Sequence, residues 1–199
     1  MTSGQKADLR VLITGAGGFI GQALTSALLS DPLVSHITIT DVIEPTVPRQ
    51  KTPSGVQIRH VKADLTSSSI CESLFTHDLT LIYLLHGIMS GAAEANLELG
   101  LTVNIDSTRQ ILGILRRVNP GVKVIYPSSL AVYGPPERKD SYITESNAPL
   151  PGSSYGAQKL ICETLLNDFS RRGLLDGRIL RLPTVRDHLS AMLSCWLLT

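Results

Sequence analysis

The stretch Thr14-Gly15-Ala16-Gly17-Gly18-Phe19-Ile20-Gly21 decides how the rest of the chain is interpreted. It follows a short apolar run, Leu9-Arg10-Val11-Leu12-Ile13, which is typical of a buried strand. It leads into Gln22-Ala23-Leu24-Thr25-Ser26-Ala27-Leu28-Leu29, whose apolar residues fall on one face of a helix. The sequence therefore predicts a strand, a glycine-rich turn and a helix in direct succession, the context in which such a turn binds phosphate groups.

Three glycines of this turn have separate roles in the prediction. Gly15 lets the chain leave the strand sharply, because a residue without Cβ reaches backbone angles that other residues avoid. Gly18 lets backbone N–H groups approach a diphosphate, and Gly21 lets the helix lie close to the strand. A diphosphate bound here would sit at the positive end of the helix dipole. The glycine pattern alone fits an ordinary loop equally well, so it needs support from the residues that follow.

That support comes from a second strand, predicted at His36-Ile37-Thr38-Ile39-Thr40, and from the carboxylate that ends it. Asp41 lies twenty residues beyond Gly21. At this spacing a carboxylate accepts hydrogen bonds from both ribose hydroxyls of adenosine and repels a 2′-phosphate. The alternative is that Asp41 is only a polar strand terminus. Together with the glycine turn, the carboxylate favours NAD as the cofactor over NADP.

The composition restricts the class of protein. The 199 residues are enough for one domain, and 43% of them are hydrophobic, which is enough for a core. The net charge is +1 and the basic residues are scattered, so we expect neither nucleic acid nor an anionic membrane as a partner. The polar segment 1–6 lacks the apolar core of a signal peptide, and the longest apolar run, 79–85, is too short to span a bilayer.

The cysteines and histidines show no metal-ligand spacing. Cys71, Cys162 and Cys195 are odd in number and form no C-x-x-C pair, and the five histidines are scattered. We therefore expect buried or free thiols in a reducing compartment, a cytosolic location and no bound metal.

Strand patterns and helix patterns alternate along the chain. Strands are predicted at 9–13, 36–40, 56–61, 80–85, 122–126 and 178–182, and helices at 22–29, 67–75, 101–118 and 153–172. Ser153 or Ser154 is expected to cap the last helix, and the local structure of 86–100 is not decided by its pattern. The alternation predicts the α/β class, with a doubly wound parallel sheet, right-handed crossovers and helices on both faces.

A tyrosine and a lysine stand four residues apart on the last predicted helix and therefore share a face. Tyr155 is a poor base at neutral pH, but an ammonium such as that of Lys159 favours the phenolate and lowers the tyrosine pKa. This pair alone could be an amphipathic surface pair. It follows Ser128-Ser129, at the carboxyl end of the fifth strand, by one βα unit, and ligands of open α/β sheets bind at that edge.

Taken together, these motifs resemble the extended short-chain dehydrogenases/reductases, the NAD-dependent epimerase/dehydratase family, which has a Rossmann-type fold. The matching segments are 14–21, Asp41, Asp64-Leu65, 104–108, 128–134 and 155–159. Within that family, Ser90-Gly91-Ala92-Ala93-Glu94 and 171–184 resemble the D-erythronate dehydrogenase group. The resemblance covers about residues 8–185.

The resemblance implies a role for each matching residue of the catalytic set. Tyr155 would be the acid/base, and Lys159 would bind the nicotinamide ribose and lower the tyrosine pKa. Ser129 would orient the reacting hydroxyl or carbonyl, with Ser128 as its close substitute. Asn104 would support the helix and a water relay behind Lys159.

It also implies contacts to the cofactor and the substrate. Asp64 and Leu65 would contact adenine, and Ser90 and Gly91 would join Ser129 at the substrate. The predicted cofactor-binding residues are Gly15, Gly18, Phe19, Ile20, Gly21, Asp41, Asp64, Leu65, Tyr155, Lys159 and Pro183.

Two features depart from the family pattern. The family usually has Ala or Gly in the His-Leu-Ala-Ala stretch after the fourth strand, where this chain has Leu85 and His86. Either the strand end is repacked, or cofactor binding is altered. The second departure is the end of the chain, because family members continue well over a hundred residues past the sixth strand and form much of the substrate pocket there.

We therefore expect an NAD-binding domain at 1–185 that lacks most of the C-terminal substrate part, followed by a divergent apolar tail at 186–199. The tail could form a helix capped by Asp187, or it could be the product of splicing or of a shifted reading frame. Its apolar stripe would comprise Leu189, Met192, Leu193, Trp196 and Leu197.

The expected activity is NAD-dependent oxidation of a secondary alcohol on a small polyhydroxylated, sugar-acid-like substrate. One alternative is an epimerase, dehydratase or isomerase of the same family, which returns the hydride. The other is a truncated NAD-binding protein without turnover. Family members often dimerise through the helices that hold Asn104 and Tyr155, so a homodimer is also expected.

Overall fold

The computed structural model describes residues 8–46, 55–136 and 142–183. Six strands are present in this part of the chain: β1 Leu9–Thr14, β2 Val34–Asp41, β3 Gln57–Lys62, β4 Leu81–Leu84, β5 Lys123–Ser129 and β6 Asp176–Leu182. The helices are α1 Phe19–Leu29, α2 Ser68–Leu74, α3 Ser90–Ala95, α4 Leu97–Gly100, α5 Ser107–Val118 and α6 Ser154–Arg171. Every strand and helix predicted from the sequence is found, and α3 and α4 occupy the stretch that its pattern left undecided.

The six strands form one parallel sheet in the order β3-β2-β1-β4-β5-β6. Successive crossovers run outward from β1 on one side and from β4 on the other, so the chain reverses direction between these two strands. Ligands of such sheets bind outside the carboxyl ends of the strands at this reversal. The predicted α/β, Rossmann-type doubly wound fold is confirmed.

Alternating side chains of β1 divide the core between the two faces of the sheet. Val11 and Ile13 pack with Leu28 and Leu29 of α1. Leu12 faces the other way, into a larger cluster built from α2, α5 and α6. Strands buried on both faces explain the nearly continuous apolar runs in the sequence.

The long helix predicted from residue 101 is not uniform, because Leu101–Asp106 forms a π-helical segment before α5 begins. Side chains satisfy the carbonyl groups of this wider turn. The Ser107 hydroxyl donates to Val103 O at 2.5 Å, and the Thr108 hydroxyl donates to Asn104 O at 2.8 Å. Insertions of this kind are frequent at functional sites, and the sequence pattern did not reveal it.

Several features expected from the sequence concern other parts of the chain. The apolar stripe from Leu189 to Leu197, its cap Asp187 and Cys195 lie outside the described residues. Cys71 and Cys162 are buried free thiols. Within the described residues, no helix has the length and apolar character needed to cross a membrane.

Candidate active site

The glycine turn connects β1 to α1 at the carboxyl edge of the sheet. Gly15 has a φ of +64°, and a Cβ there would lie 2.8 Å from the backbone of Leu85 and His86. A Cβ on Gly21 would lie 2.5 Å from Gly15 O, so α1 can approach the strand only with glycine at this position. Helix α1 starts at Phe19 with neither a side-chain cap nor an acidic residue in its first turn. This helix end is therefore suited to an anion such as a diphosphate.

Asp41 lies beside this turn, as the spacing predicts. Its Oδ2 accepts a hydrogen bond from Gly17 N at 2.9 Å, and Ala16 N donates to Thr40 O at 3.1 Å. The carboxylate is partly exposed at the end of β2. It is thus held where it can meet a ribose next to a diphosphate on α1.

The two predicted adenine contacts differ in exposure, because Asp64 is exposed and Leu65 is buried. Asp64 Oδ1 accepts from Thr66 N at 3.0 Å and from the Thr66 hydroxyl at 2.8 Å, which forms a local turn after β3. Leu65 is only 6% exposed and belongs to the core cluster on the α5 side. The structure therefore gives the Leu65 side chain a packing role.

Lys159 is buried beneath the site, with 7% of its surface exposed. Its Nζ donates to Pro127 O at 2.8 Å and lies 4.5 Å from the ring centre of Tyr126 and 5.7 Å from that of Tyr155. Burial lowers the pKa of Lys159 to about 8, against the opposing effects of Cys162 and Glu163. The ammonium is therefore available near Tyr155 at neutral pH, but it is held by a carbonyl.

The tyrosine pKa departs from the direction expected from the sequence. Burial raises the pKa of Tyr155 above its ordinary value. Lys159 is close enough to favour the phenolate, but its Nζ is directed to Pro127 O and not to the phenol oxygen. Any lowering of the Tyr155 pKa therefore requires the ammonium to act more directly on the phenol oxygen than it does here.

The two serines at the end of β5 differ in their surroundings. Ser129 Oγ accepts from Ala131 N at 3.1 Å and caps the short 3₁₀ turn Leu130–Tyr133, which leaves its proton free to donate. Ser128 is 3% exposed, and its Oγ has no hydrogen-bond partner within the described residues. A Cβ on Gly156 would lie 2.3 Å from Ala131 O, so the start of α6 packs directly on this turn. The strand end and the Tyr155 helix are thereby brought together.

Asn104 connects the π-helical segment to two neighbours. Its Nδ2 donates to Gln158 Oε1 at 2.7 Å, and its Oδ1 accepts from Ile88 N at 2.8 Å. Gln158 is 2% exposed and directly precedes Lys159. The sequence analysis missed Gln158, although its position inside the Tyr-x-x-x-Lys helix turn is a signal that could have identified it.

Ser90 and Gly91 begin α3 and are exposed. A Cβ on Gly91 would meet nothing within 4 Å among the described residues, so none of these residues closes off this position. Glu94, at the other end of α3, accepts from Ser154 N at 2.9 Å. Ser153 Oγ accepts from Gly156 N at 3.1 Å and is the cap of α6. The predicted substrate segment is thus joined to the start of the Tyr155 helix.

An ion pair between the buried Glu163 and the partly exposed Arg181 supports the site from behind, and the sequence analysis missed it as well. Glu163, one helical turn after Lys159, is 3% exposed and accepts from Arg181 at 2.7 and 3.0 Å. Arg181 also donates to the Tyr133 hydroxyl at 2.5 Å. These contacts tie α6 to β6 and to the turn after Ser129. Pro183 follows β6 at the same edge of the sheet and is exposed.

Leu85 and His86, which stand after β4 where the family usually has Ala or Gly, are accommodated inside the fold. Leu85 packs against the core cluster of α1, and the His86 ring lies between β1 and α5 with a hydrogen bond at each nitrogen. No group of three or more His, Cys, Asp or Glu residues in the described ranges could hold a metal ion.

A glycine turn suited to an anion, a carboxylate beside it and a Tyr/Lys pair at one edge of a parallel sheet are together typical of nucleotide-dependent enzymes of the short-chain type. The chain belongs to the NAD dependent epimerase/dehydratase family, which it matches over residues 11–186. The family predicted from the motifs is thereby confirmed, and NAD is the cofactor in its name.

Among characterised relatives, the chain is similar to D-erythronate dehydrogenase of Haemophilus influenzae, with 38% identity over 179 residues. The same enzyme of Cupriavidus necator is 36% identical over 189 residues. Both alignments cover 89% of this chain and 55% of the relative. The chain therefore spans about half the length of the curated relatives it matches.

Solved structures agree with this assignment. A nucleoside-diphosphate-sugar epimerase from Agrobacterium tumefaciens superposes with a TM-score of 0.82 at 32% identity, over 93% of this chain and 56% of that one. UDP-glucuronic acid 4-epimerase from Bacillus cereus, in complex with NAD, gives a TM-score of 0.70 at 29% identity, over 88% of this chain and 57% of that one.

Proposed function

We propose that this chain binds NAD and belongs to an enzyme that oxidises a secondary alcohol of a small polyhydroxylated acid. The observation that carries the proposal is the position of Lys159, whose buried Nζ lies 5.7 Å from the Tyr155 ring centre at the strand end that holds Ser128 and Ser129. The identity to D-erythronate dehydrogenases supports the substrate class.

The glycine turn and Asp41 fit the cofactor. The uncapped start of α1 suits the diphosphate, and the Asp41 carboxylate, already oriented by Gly17 N, suits the ribose hydroxyls of NAD. A 2′-phosphate at the same place would meet a carboxylate, which disfavours NADP. The glycine turn and Asp41 together form the cofactor cradle of this proposal. Asp64 and Pro183 border the cradle, and the Leu65 side chain contributes packing.

The chemistry assigned to the chain is a proton transfer. NAD, when bound, supplies the acceptor for the hydride. Ser129 donates a hydrogen bond to the substrate oxygen, and the Tyr155 phenol oxygen takes the proton of the reacting hydroxyl. Lys159, which keeps its charge below pH about 8, favours the phenolate when its ammonium acts directly on the phenol oxygen, and this opposes the raising effect of burial on the pKa of Tyr155.

Asn104 and Gln158 hold the helix turn of Lys159 in this proposal, and Ser90 and Gly91 contact the substrate. The substrate contact is supported by the lack of any described residue within 4 Å of a Cβ on Gly91, and by Glu94 of the same short helix, which accepts a hydrogen bond from Ser154 N at the start of α6. Ser128 is the second candidate for a contact to the substrate or to a bound water, because its Oγ is buried without a described partner.

A second function in the same family is an epimerase or dehydratase reaction without net oxidation. The observation that favours it is the likeness to the sugar-nucleotide epimerase of Agrobacterium tumefaciens, at 32% identity. A third candidate is an NAD-binding protein without turnover, which is favoured by the raised pKa of Tyr155 and by the hydrogen bond that holds Lys159 Nζ to Pro127 O.

One experiment separates these functions. NAD is titrated by calorimetry, and a panel of four-carbon and six-carbon sugar acids is then followed by the absorbance of reduced nicotinamide. A net rise with a sugar acid supports the dehydrogenase. Product without a net rise supports the epimerase, binding of NAD without product supports the inactive protein, and absence of NAD binding contradicts the proposal as a whole.

The proposal extends to a homodimer and to the cytosol. Exposed apolar side chains lie on α6, which holds Tyr155, at Ile161, and on α4, which directly precedes the segment that holds Asn104, at Leu97 and Leu99. The buried free thiols Cys71 and Cys162 are consistent with a reducing compartment. Sedimentation velocity tests the dimer.

A further inference from the structure

His86 connects the end of β1 to the start of α5 through both nitrogens of its ring. It directly follows Leu85 at the end of β4, and its Nδ1 lies 2.9 Å from the hydroxyl of Thr14. Its Nε2 lies 2.9 Å from the hydroxyl of Ser107 on α5. Its backbone N–H donates to the same Thr14 hydroxyl at 3.3 Å. Both partners are buried, at 0% and 2% exposure.

The hydrogen-bond network fixes which nitrogen carries the proton. The Ser107 hydroxyl donates its proton to Val103 O at 2.5 Å, so towards His86 it can only accept. Nε2 therefore carries the hydrogen and Nδ1 accepts from the Thr14 hydroxyl. In this tautomer each of the three side chains has a donor or acceptor of the correct kind.

The neutral ring agrees with its surroundings. Burial, together with the positive charge of Lys159, lowers the pKa of His86 to about 4. A protonated ring would have to donate from both nitrogens, and the Thr14 hydroxyl would then have to direct its proton to Tyr83 O, 3.3 Å away. Only the neutral ring lets the Thr14 hydroxyl donate over the shorter distance, to Nδ1 at 2.9 Å.

The three joined elements meet where the cofactor is expected. Thr14 is the last residue of β1 and precedes Gly15, where a Cβ would lie only 2.8 Å from the backbone N of His86. Ser107 begins α5 directly after the π-helical segment that contains Asn104. A change at His86 therefore reaches the glycine turn on one side and the support of Lys159 on the other.

We propose that His86, as the neutral Nε2-protonated imidazole, is a positioning residue that fixes the glycine turn against α5 and so holds the cofactor cradle in its binding geometry. The inference rests on the proposed function, because the cradle is taken to bind NAD. At this point after β4 the family usually has Ala or Gly, whereas this chain has a histidine that joins the neighbouring elements by hydrogen bonds.

The test combines NAD affinity with two readouts that need no cofactor. His86→Ala is expected to weaken NAD binding about tenfold, equivalent to roughly 1.4 kcal/mol, and to speed hydrogen exchange of the Gly17 and Gly18 amides. His86→Asn places its amide near the position of Nδ1 and keeps the Thr14 contact, and His86→Gln reaches Ser107 instead. Each is expected to restore part of the affinity. Nitrogen NMR of the wild-type ring is expected to show a protonated Nε2 and an unprotonated Nδ1.

His77, which is exposed between α2 and β4, provides the matched control, and His77→Ala is expected to change none of these readouts. If His86→Ala does not fold, Ser107→Ala removes the acceptor and decides the question by the same exchange measurement. NAD affinity of folded His86→Ala within twofold of wild type, or a protonated Nδ1, overturns the inference.

Failure of the wild type to bind NAD contradicts the proposed function and the cofactor part of the inference. The positioning role of His86 is then tested by the NMR spectrum of its ring and by hydrogen exchange of the glycine-turn amides, so the two failures are distinguishable.

Discussion

Asn104 Nδ2 donates a 2.7 Å hydrogen bond to Gln158 Oε1 and thereby joins the π-helical segment before α5 to the turn of α6 that carries Lys159. Gln158→Ala is expected to lower the free energy of unfolding by about 1–3 kcal/mol, because it leaves one N–H of the buried Asn104 amide without an acceptor, while the bond of this amide to Ile88 O remains. Urea unfolding measures the loss. Gln57→Ala, an exposed glutamine on β3, is the control and is expected to stay within about 0.5 kcal/mol of wild type.

Asp41 is expected to set the cofactor preference. Asp41→Ala removes a charged acceptor for the ribose hydroxyls, which is worth roughly 1.5–3 kcal/mol, and also the acceptor of Gly17 N. NAD should therefore bind more weakly and NADP should be discriminated against less. Calorimetric titration of both cofactors measures this. Asp41→Asn keeps an acceptor for Gly17 N, so it separates the charge from the turn; an unchanged preference in both variants contradicts the assignment.

Glu163 should contribute more to stability than any exposed carboxylate. Glu163→Ala leaves the Arg181 guanidinium, whose side chain is 21% exposed, without its carboxylate partner, and the loss of hydrogen bonds between charged groups costs about 1.5–3 kcal/mol. Glu72, half-exposed and paired with Arg117 at 3.2 Å, provides the matched comparison. Glu72→Ala should cost about 0–1 kcal/mol. Equal losses in chemical unfolding would show that Arg181 does not depend on its buried partner.

The neutral ring of His86 gives stability a defined pH dependence. Its pKa is about 4 in the folded chain against 6.5 as the ordinary value, so between these values the unfolded chain binds a proton that the folded chain does not. Stability should fall as the pH drops from 6.5 towards 4, by up to roughly 3 kcal/mol from this group. Lys159 is the cation that adds to the effect.

This prediction is checked by the difference between wild type and His86→Ala in unfolding experiments across that range, since other groups contribute equally to both proteins. The slope of the wild type should be steeper. Parallel curves would mean that His86 is protonated in the folded chain or titrates normally there.

The sequence predicts the sheet and the edge where the site lies, because buried strands and the glycine turn leave strong local signals. Residues that act through another residue leave no such signal in the local sequence. Gln158 and Glu163 look like ordinary helix residues until α5 and β6 pack against them, and the π-helical segment has the same apolar periodicity as the helix it precedes. The orientation of Lys159 towards Pro127 O likewise depends on packing, which is why the expected lowering of the tyrosine pKa does not appear in the folded chain.

The catalytic assignment predicts different effects for the two members of the Tyr/Lys pair. Tyr155→Phe removes only the oxygen that transfers the proton, so turnover should be lost while NAD affinity stays nearly unchanged. Lys159→Met should harm both, because the ammonium is expected to hold the nicotinamide ribose as well. Lys159→Met also removes the bond to Pro127 O, so its folding is checked by circular dichroism.

The most direct measurement of the central claim is single-turnover formation of reduced nicotinamide from a sugar acid, in wild type and in Tyr155→Phe, at matched saturation with NAD. We expect a burst in the wild type and a loss of at least about a hundredfold in the variant, the size of a general acid–base contribution. Normal formation of reduced nicotinamide by Tyr155→Phe would contradict the account.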